Sequence, residues 1–149
     1  MRTRAITLAV VAATALSLAG ADGASACSCA SGHWSKVFRN SPGAVTARLE
    51  SKTSVNQIRA DFTYRLTAVW KGPDRLEEGG SITMRTYKSE ASCGLPGRVG
   101  KRYGLFLYRA HGKLTSNLCL VVSPRRMRRV AHRVSRGGSS AKAATCAAA

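Results

Sequence analysis

Acidic side chains and histidines are scarce in this chain. Its 149 residues include seven Asp and Glu against 24 Lys and Arg, which gives a formal charge of +17 at pH 7. The histidines His33, His111 and His132 lie in no recognisable nucleophile or metal-site motif. Because these residue types carry out most acid–base catalysis, we expect a protein that is not an enzyme and has no cofactor of its own.

Long apolar runs are absent beyond the amino terminus, and the sequence has no internal repeat, which excludes a propeller or a solenoid. The first apolar run, residues 5–19, is shorter than the roughly 20 residues of a membrane span. It follows Arg2 and Arg4 and precedes the small residues Ala24-Ser25-Ala26. These features predict a secretory signal peptide over residues 1–26, a secreted protein and no transmembrane segment after cleavage.

Five cysteines lie beyond this leader, which indicates an oxidising compartment and a disulfide framework with one cysteine left over. Cys27 and Cys29 are too close in sequence to suit a disulfide with each other, so each should pair with a distant cysteine. Metal ligation is the disfavoured alternative, because there is no second close pair and no zinc-finger histidine spacing. The cysteines are Cys27, Cys29, Cys93, Cys119 and Cys146.

Cleavage after Ala26 makes Cys27 the first residue of the mature chain, with a free α-amino group. The alternative is a lipid-attachment cysteine. That signal usually has a leucine-like residue three positions before the cysteine, where Ala24 stands, so we favour the free terminus.

Alternating apolar and polar residues predict five strands. The clearest is residues 58–70, with Ile58, Phe62 and Tyr64 among the residues of its apolar face. We expect residues 51–56 to form a polar connection and residues 88–101 a loop that a disulfide holds. The other predicted strands are residues 44–50, 81–87, 103–108 and 113–120.

Two helices are predicted at the ends of this strand set. Residues 34–40 have apolar side chains at helical spacing, and Ser123 with Pro124 starts a second helix. We expect this helix to end at Gly137-Gly138-Ser139-Ser140 and residues 137–149 to form a flexible, alanine-rich tail. The helix carries a basic face of Arg125, Arg126, Arg128, Arg129, Arg133 and Arg136.

A long, coiling second strand with short turns indicates an all-β fold with peripheral helices. We predict a five-stranded Greek-key barrel of the oligomer-binding type (OB-fold) over residues 27–136, with a basic carboxy-terminal helix. An ordinary β-sandwich is the main alternative. The mature length is that of one domain, and we expect a monomer.

The basic surface is suited to an anionic partner. The mature chain has a charge of +16, because Arg2, Arg4 and Asp22 leave with the signal peptide. Such a surface attracts polyanions or anionic membrane surfaces in a salt-dependent way. The other interpretation is a merely solvated basic face. An extracellular binding module for polyanions or an acidic partner, without inhibitory activity, is therefore our alternative to the function described next.

Five short motifs resemble, in order and approximate spacing, the amino-terminal, netrin-like domain of the tissue inhibitors of metalloproteinases. The resemblance covers residues 27–134, and that family's fold is an oligomer-binding barrel. The motifs are Cys27-Ser28-Cys29, Val69-Trp70-Lys71-Gly72-Pro73, Ser92-Cys93-Gly94, Tyr103-Gly104-Leu105-Phe106-Leu107 and Leu118-Cys119.

The resemblance implies disulfides Cys27–Cys93 and Cys29–Cys119 and a zinc metalloproteinase as partner. It implies that the amine and carbonyl of Cys27 chelate the protease zinc and displace the catalytic water. Because the amine must be neutral to ligate, inhibition should weaken below about pH 7. The implied protease contacts are Cys27, Ser28, Cys29, Ala30, Ala91, Ser92 and Cys93.

The sequence departs from the family pattern in four respects. Arg39 stands where a third disulfide would have one of its cysteines, which leaves Cys146 as a free thiol or an intermolecular bridge. Ser31 stands where the family usually has a proline. No second cysteine-rich domain follows, and the basic helix is peculiar to this chain.

Overall fold

The computed structural model describes Cys29 and residues 32–144, with side chains as far as residue 137. The predicted signal peptide, the part of the predicted tail beyond residue 144, and Cys27, Ser28, Ala30 and Cys146 lie outside the described residues. The elements, in chain order, are α1 (Trp34–Asn40), β1 (Gly43–Ser54), β2 (Arg59–Lys71), β3 (Ser81–Tyr87), β4 (Arg102–Ala110), β5 (Lys113–Thr115), β6 (Val121–Val122) and α2 (Pro124–Ala144).

The described strands form one antiparallel sheet in the order β3-β2-β1-β4-β5, with β6 paired to β4. Strand β1 pairs with β2 over most of its length, and its first half also pairs with β4. Three register shifts along the β1–β2 pair increase the local twist, and β3 and β5 contact each other across the remaining gap. The predicted all-β, OB-like barrel with peripheral helices and a basic carboxy-terminal helix is confirmed.

The barrel interior is filled by alternate residues of its strands. In β2, Phe62, Tyr64 and Leu66 point inward and are buried, as the alternation predicts. Strand β4 differs because both of its faces are covered: Leu105 lies in the barrel core, and Phe106 lies in a second core beneath the helices. A continuous apolar run is typical of a strand buried on both sides.

The second core fixes both helices to the barrel. The Trp34 ring of α1 stacks on Phe106, with centroids 5.5 Å apart, and Phe38 meets the same ring edge-on. From α2, Met127 and Val130 are buried in this cluster. The two helices therefore lie side by side on one flank of the barrel.

Several predicted boundaries are wrong. Strand β1 continues through Ser54, so the exposed residues 51–54 belong to a hairpin with β2 rather than to a connection. Ile58 is 61% exposed and precedes β2, because it lies in the turn at the tip of that hairpin. The predicted strand 113–120 is paired only over Lys113–Thr115. At the next residue, the Ser116 hydroxyl donates a hydrogen bond to the Phe106 carbonyl at 2.8 Å, and the chain leaves the strand pair.

The carboxy-terminal helix is longer than predicted. Helix α2 does not end at Gly137-Gly138-Ser139-Ser140 but continues to Ala144, so residues 137–144 are helical rather than part of a loose tail. Each glycine costs roughly 1 kcal/mol relative to alanine, but the alanines that follow have the highest helix propensity of all residues. Of the helices in the described part of the chain, none is long and apolar enough to cross a membrane.

Candidate functional site

A disulfide anchors the amino-terminal segment to the barrel. Cys29 is bonded to Cys119, with the Cα atoms 5.2 Å apart and a sequence separation of 90 residues. This is one of the two pairs that the family resemblance implies. Cys119 lies in the short 3₁₀ turn Leu118–Leu120, between β5 and β6, and Cys29 is exposed. The segment that leads to Cys27 is therefore fixed to the barrel two residues after that cysteine.

A second exposed turn carries Cys93. The 3₁₀ turn Glu90–Ser92 is capped by Ser89, whose hydroxyl oxygen accepts a hydrogen bond from the Ala91 amide at 3.2 Å. Cys93 ends the turn in the left-handed conformation, with φ of 61°, and is disulfide-bonded to a partner outside the described residues. A positive φ is uncommon for a residue other than glycine, so Cys93 is a conformationally unusual position in this loop.

One backbone hydrogen bond joins the two cysteine-bearing turns. The Leu118 amide donates to the Cys93 carbonyl at 3.2 Å, so the anchor of Cys29 and the Cys93 turn are neighbours. The structure thus brings together Cys29, Ala91, Ser92 and Cys93 at one exposed edge, and we call these four residues the cysteine edge. The predicted contacts Cys27, Ser28 and Ala30 lie outside the described residues.

A cavity of about 300 Å³ lies beside the cysteine edge. Its wall offers cationic and aromatic contacts. Arg59 lies over the Tyr87 ring at 5.3 Å, and the side chains of Tyr87 and Tyr108 are both exposed. Arg85 is held in a bidentate ion pair with Asp61, at 2.8 and 3.0 Å, and this hydrogen bonding lowers the pKa of Asp61. The lining includes Arg59, Arg85, Tyr87, Cys93, Tyr108 and Asn117.

The six arginines of α2 are all exposed, but they do not form one patch. Arg126, Arg129 and Arg133 line a groove of about 580 Å³ between α1 and α2, whereas Arg125, Arg128 and Arg136 are not among its lining residues. The opposite wall of this helix–helix groove carries Lys36 and Arg39 of α1, and sequence reasoning did not include them in the basic site.

Comparison with protein families identifies the family to which the chain belongs. The family model for tissue inhibitor of metalloproteinase matches residues 25–147, which includes the cysteine edge and α2. The chain belongs to the tissue inhibitor of metalloproteinase family. Membership supports a metalloproteinase-inhibitor-like function and a metalloproteinase as partner, and members of the family are secreted inhibitors rather than enzymes. A comparison with curated proteins finds no match.

Gly94 supports the cysteine edge, and sequence reasoning missed this role. A Cβ atom at this position would lie 2.2 Å from the Tyr87 carbonyl oxygen and 2.7 Å from that of Ser89. No larger residue fits without moving the backbone, and the next amide, that of Leu95, donates to the buried Thr86 hydroxyl at 2.8 Å. Gly94 therefore holds the Cys93 turn close against the end of β3. The available signal was the glycine of the Ser92-Cys93-Gly94 motif.

The histidines occupy separate places. His33 lines the helix–helix groove, His132 contacts the Trp70 ring edge-on at 5.8 Å, and His111 lies in the tight turn between β4 and β5. Among Cys29 and residues 32–144, no three His, Cys, Asp or Glu side chains come together as a metal site.

Proposed function

We propose that the mature chain inhibits a zinc metalloproteinase by placing the α-amino nitrogen and the carbonyl oxygen of Cys27 on the catalytic zinc. Family membership supports the inhibitory class. The observation that carries the mechanism is the fixed cysteine edge, because the disulfide Cys29–Cys119 holds the chain immediately after the proposed ligand.

The chemistry follows from the coordination of catalytic zinc. Such a zinc keeps one position open for water or substrate, and the bound water is the nucleophile. The nitrogen and oxygen of one amino-terminal residue can close a five-membered chelate ring on the metal. Displacement of the water by this chelate removes the nucleophile and stops hydrolysis.

The anchor limits how far Cys27 can move. Two residues of fully extended chain span at most roughly 7 Å, so the Cα of Cys27 stays within this distance of the Cα of Cys29. A terminus that is held in place loses less conformational freedom on binding than a frayed one, and more of the contact energy therefore contributes to affinity. The hydrogen bond between Leu118 and Cys93 adds a second restraint at the same edge.

The remaining contacts follow from this placement. Ser28 is the residue next to the chelate, and its small side chain would enter the specificity pocket of the protease. Cys29 and Ala30 would continue along the cleft, and Ala91, Ser92 and Cys93 would form the other side of the ridge. The neighbouring cavity wall, with Arg59 and Tyr87, extends the surface available to the protease.

A single-residue extension tests the proposal. The mature chain that starts at Cys27 and a form with one alanine before Cys27 are compared against a panel of zinc metalloproteinases. The extension turns the amine into an amide nitrogen, which is a poor zinc ligand, so inhibition should be lost while the thermal midpoint stays unchanged. Equal inhibition by both forms would reject chelation. Absence of inhibition by the Cys27 form across the panel would reject the inhibitory function.

A further inference from the structure

The helix–helix groove concentrates positive charge without any acidic partner. No Asp or Glu is among its lining residues. Its walls carry five cations, two from α1 and three from α2: Lys36, Arg39, Arg126, Arg129 and Arg133. Neither helix contains an acidic residue. The ion pairs found within the described part of the chain, Arg65–Glu50 and Arg85–Asp61, lie on the strands. The groove cations therefore have no ion-pair partner among the described residues.

This charge density is unfavourable in the isolated protein. Like charges repel across the groove, and Arg126 lies in the first turn of α2, where the helix dipole already favours negative charge. An anion in the groove would reduce both penalties. Guanidinium groups are well suited to such a partner, because their planar donors bind two oxygens of one sulfate or phosphate group at once.

The spacing of the cations indicates a polymer rather than a small ion. Arg126, Arg129 and Arg133 lie on one face of α2, at positions i, i+3 and i+7. At 1.5 Å per residue, the first and last of them are about 10 Å apart along the helix axis. A chain with charged groups at intervals can contact all three arginines at once, whereas a single sulfate or phosphate ion would have to draw their long side chains together against their mutual repulsion.

Two other classes of anionic partner fit the groove poorly. An anionic membrane usually receives the apolar face of an amphipathic helix, but Met127, Val130 and Ala131 of α2 are already buried against the barrel. Single-stranded nucleic acid is usually held by several rings that stack on successive bases. The groove offers one indole ring, Trp34, and one face of that ring is packed on Phe106.

We propose that the groove between α1 and α2 binds a linear polyanion whose charges are sulfate or phosphate groups and that has no stacking bases. This binding is independent of Cys27 and of the proposed inhibition, since the groove and the cysteine edge use different residues. The alanine extension before Cys27 should therefore leave it unchanged.

Two triple variants of α2 provide a matched test. In the first, the groove arginines Arg126, Arg129 and Arg133 become Gln; in the second, the non-groove arginines Arg125, Arg128 and Arg136 become Gln. Both remove three charges from the same exposed helix, and Gln keeps helix propensity similar. A double variant, Lys36→Gln with Arg39→Gln, tests the opposite wall. Affinity for a heparin octasaccharide and for polyphosphate is measured by titration calorimetry at several salt concentrations, after circular dichroism has shown that each variant is folded.

The groove triple variant should bind at least one of these two probes roughly tenfold or more weakly and with a shallower salt dependence. The α1 double variant should also bind more weakly, and the non-groove triple variant should stay within about threefold of the parent. The more tightly bound probe distinguishes a sulfated polymer from a phosphate polymer. Equal losses in the two triple variants, or no binding of either probe by the parent, would overturn the proposal. Equally tight, groove-dependent binding of oligothymidine or of phosphatidylserine vesicles would overturn it in favour of that class.

Discussion

The substitution Gly94→Ala should lower the stability of the barrel and distort the cysteine edge. The added Cβ would lie 2.2 Å from the Tyr87 carbonyl oxygen, and real Cβ contacts are almost never below 3.0 Å. The turn must therefore move by about 0.8 Å or more, against backbone atoms rather than a flexible side chain. The same movement strains the hydrogen bond from the Gly94 amide to the Ser89 carbonyl, at 3.1 Å, and the buried one from Leu95 to Thr86.

The expected loss of unfolding free energy is about 2–4 kcal/mol. Overpacking at a rigid site costs about 1–3 kcal/mol, and a weakened hydrogen bond costs about 1 kcal/mol. The displaced turn carries Ala91, Ser92 and Cys93. If the complex with a protease loses only 1.4 kcal/mol as a result, the inhibition constant rises about tenfold.

Gly104→Ala is the matched control. Its Cβ would lie 2.8 Å from Met127 Cβ and 2.9 Å from Val122 Cγ2, so it should also destabilise the fold by about 1–3 kcal/mol. The clash lies under α2 rather than at the cysteine edge. Urea unfolding gives the stability of each variant, and inhibition is measured well below both unfolding midpoints. If Gly94→Ala inhibits as well as Gly104→Ala does, the Cys93 turn does not position the inhibitory edge as we describe.

Three further predictions concern stability. Replacing both Cys29 and Cys119 by Ala should lower the unfolding free energy by about 4.5 kcal/mol in the chain-entropy model, because the bond closes a loop of 90 residues; urea titrations that show no loss would contradict this. Tyr64→Phe should be neutral or stabilising by up to about 1 kcal/mol, since the buried Tyr64 hydroxyl has no hydrogen-bond partner among the described residues; a loss above 1 kcal/mol would indicate a bridging water. The Arg85 guanidinium lowers the pKa of Asp61 in the folded state. This pair therefore stabilises the fold above the unfolded-state pKa of about 4, and the contribution is lost as pH falls through the folded-state pKa. Thermal midpoints of the parent and of Asp61→Asn should therefore differ at pH 7 and converge at acid pH, once the Asp61 carboxyl is protonated in the folded protein; a difference that is constant with pH would refute the assignment.

Local sequence patterns predict the elements with a regular burial period. Strand β3 and helix α1 begin and end where alternation and helical spacing place them. The last four residues of β1 were missed because all four are exposed, so no apolar alternation marks them. Strand β6 consists of Val121–Val122, which is too short for any period, and only its pairing with β4 makes it a strand.

The functional surfaces depend on tertiary packing to different degrees. The motif order was enough to indicate the family, and it implied the pairing of Cys29 with Cys119 that the structure contains. The groove could not be predicted, because Lys36 and Arg129 are remote in sequence and meet only when both helices pack around Phe106. The number of arginines in α2 does not show which of them face α1.

Coordination of the protease zinc by Cys27 is the central claim, and cobalt substitution tests it most directly. The active-site zinc of an inhibited metalloproteinase is replaced by Co²⁺, and the visible absorption spectrum is recorded during titration with the mature chain. We expect the cobalt bands to change up to one equivalent, because an amine and a carbonyl oxygen replace water. The alanine-extended chain should leave the spectrum unchanged. Stoichiometric inhibition by the mature chain without any change in the cobalt spectrum would contradict the account.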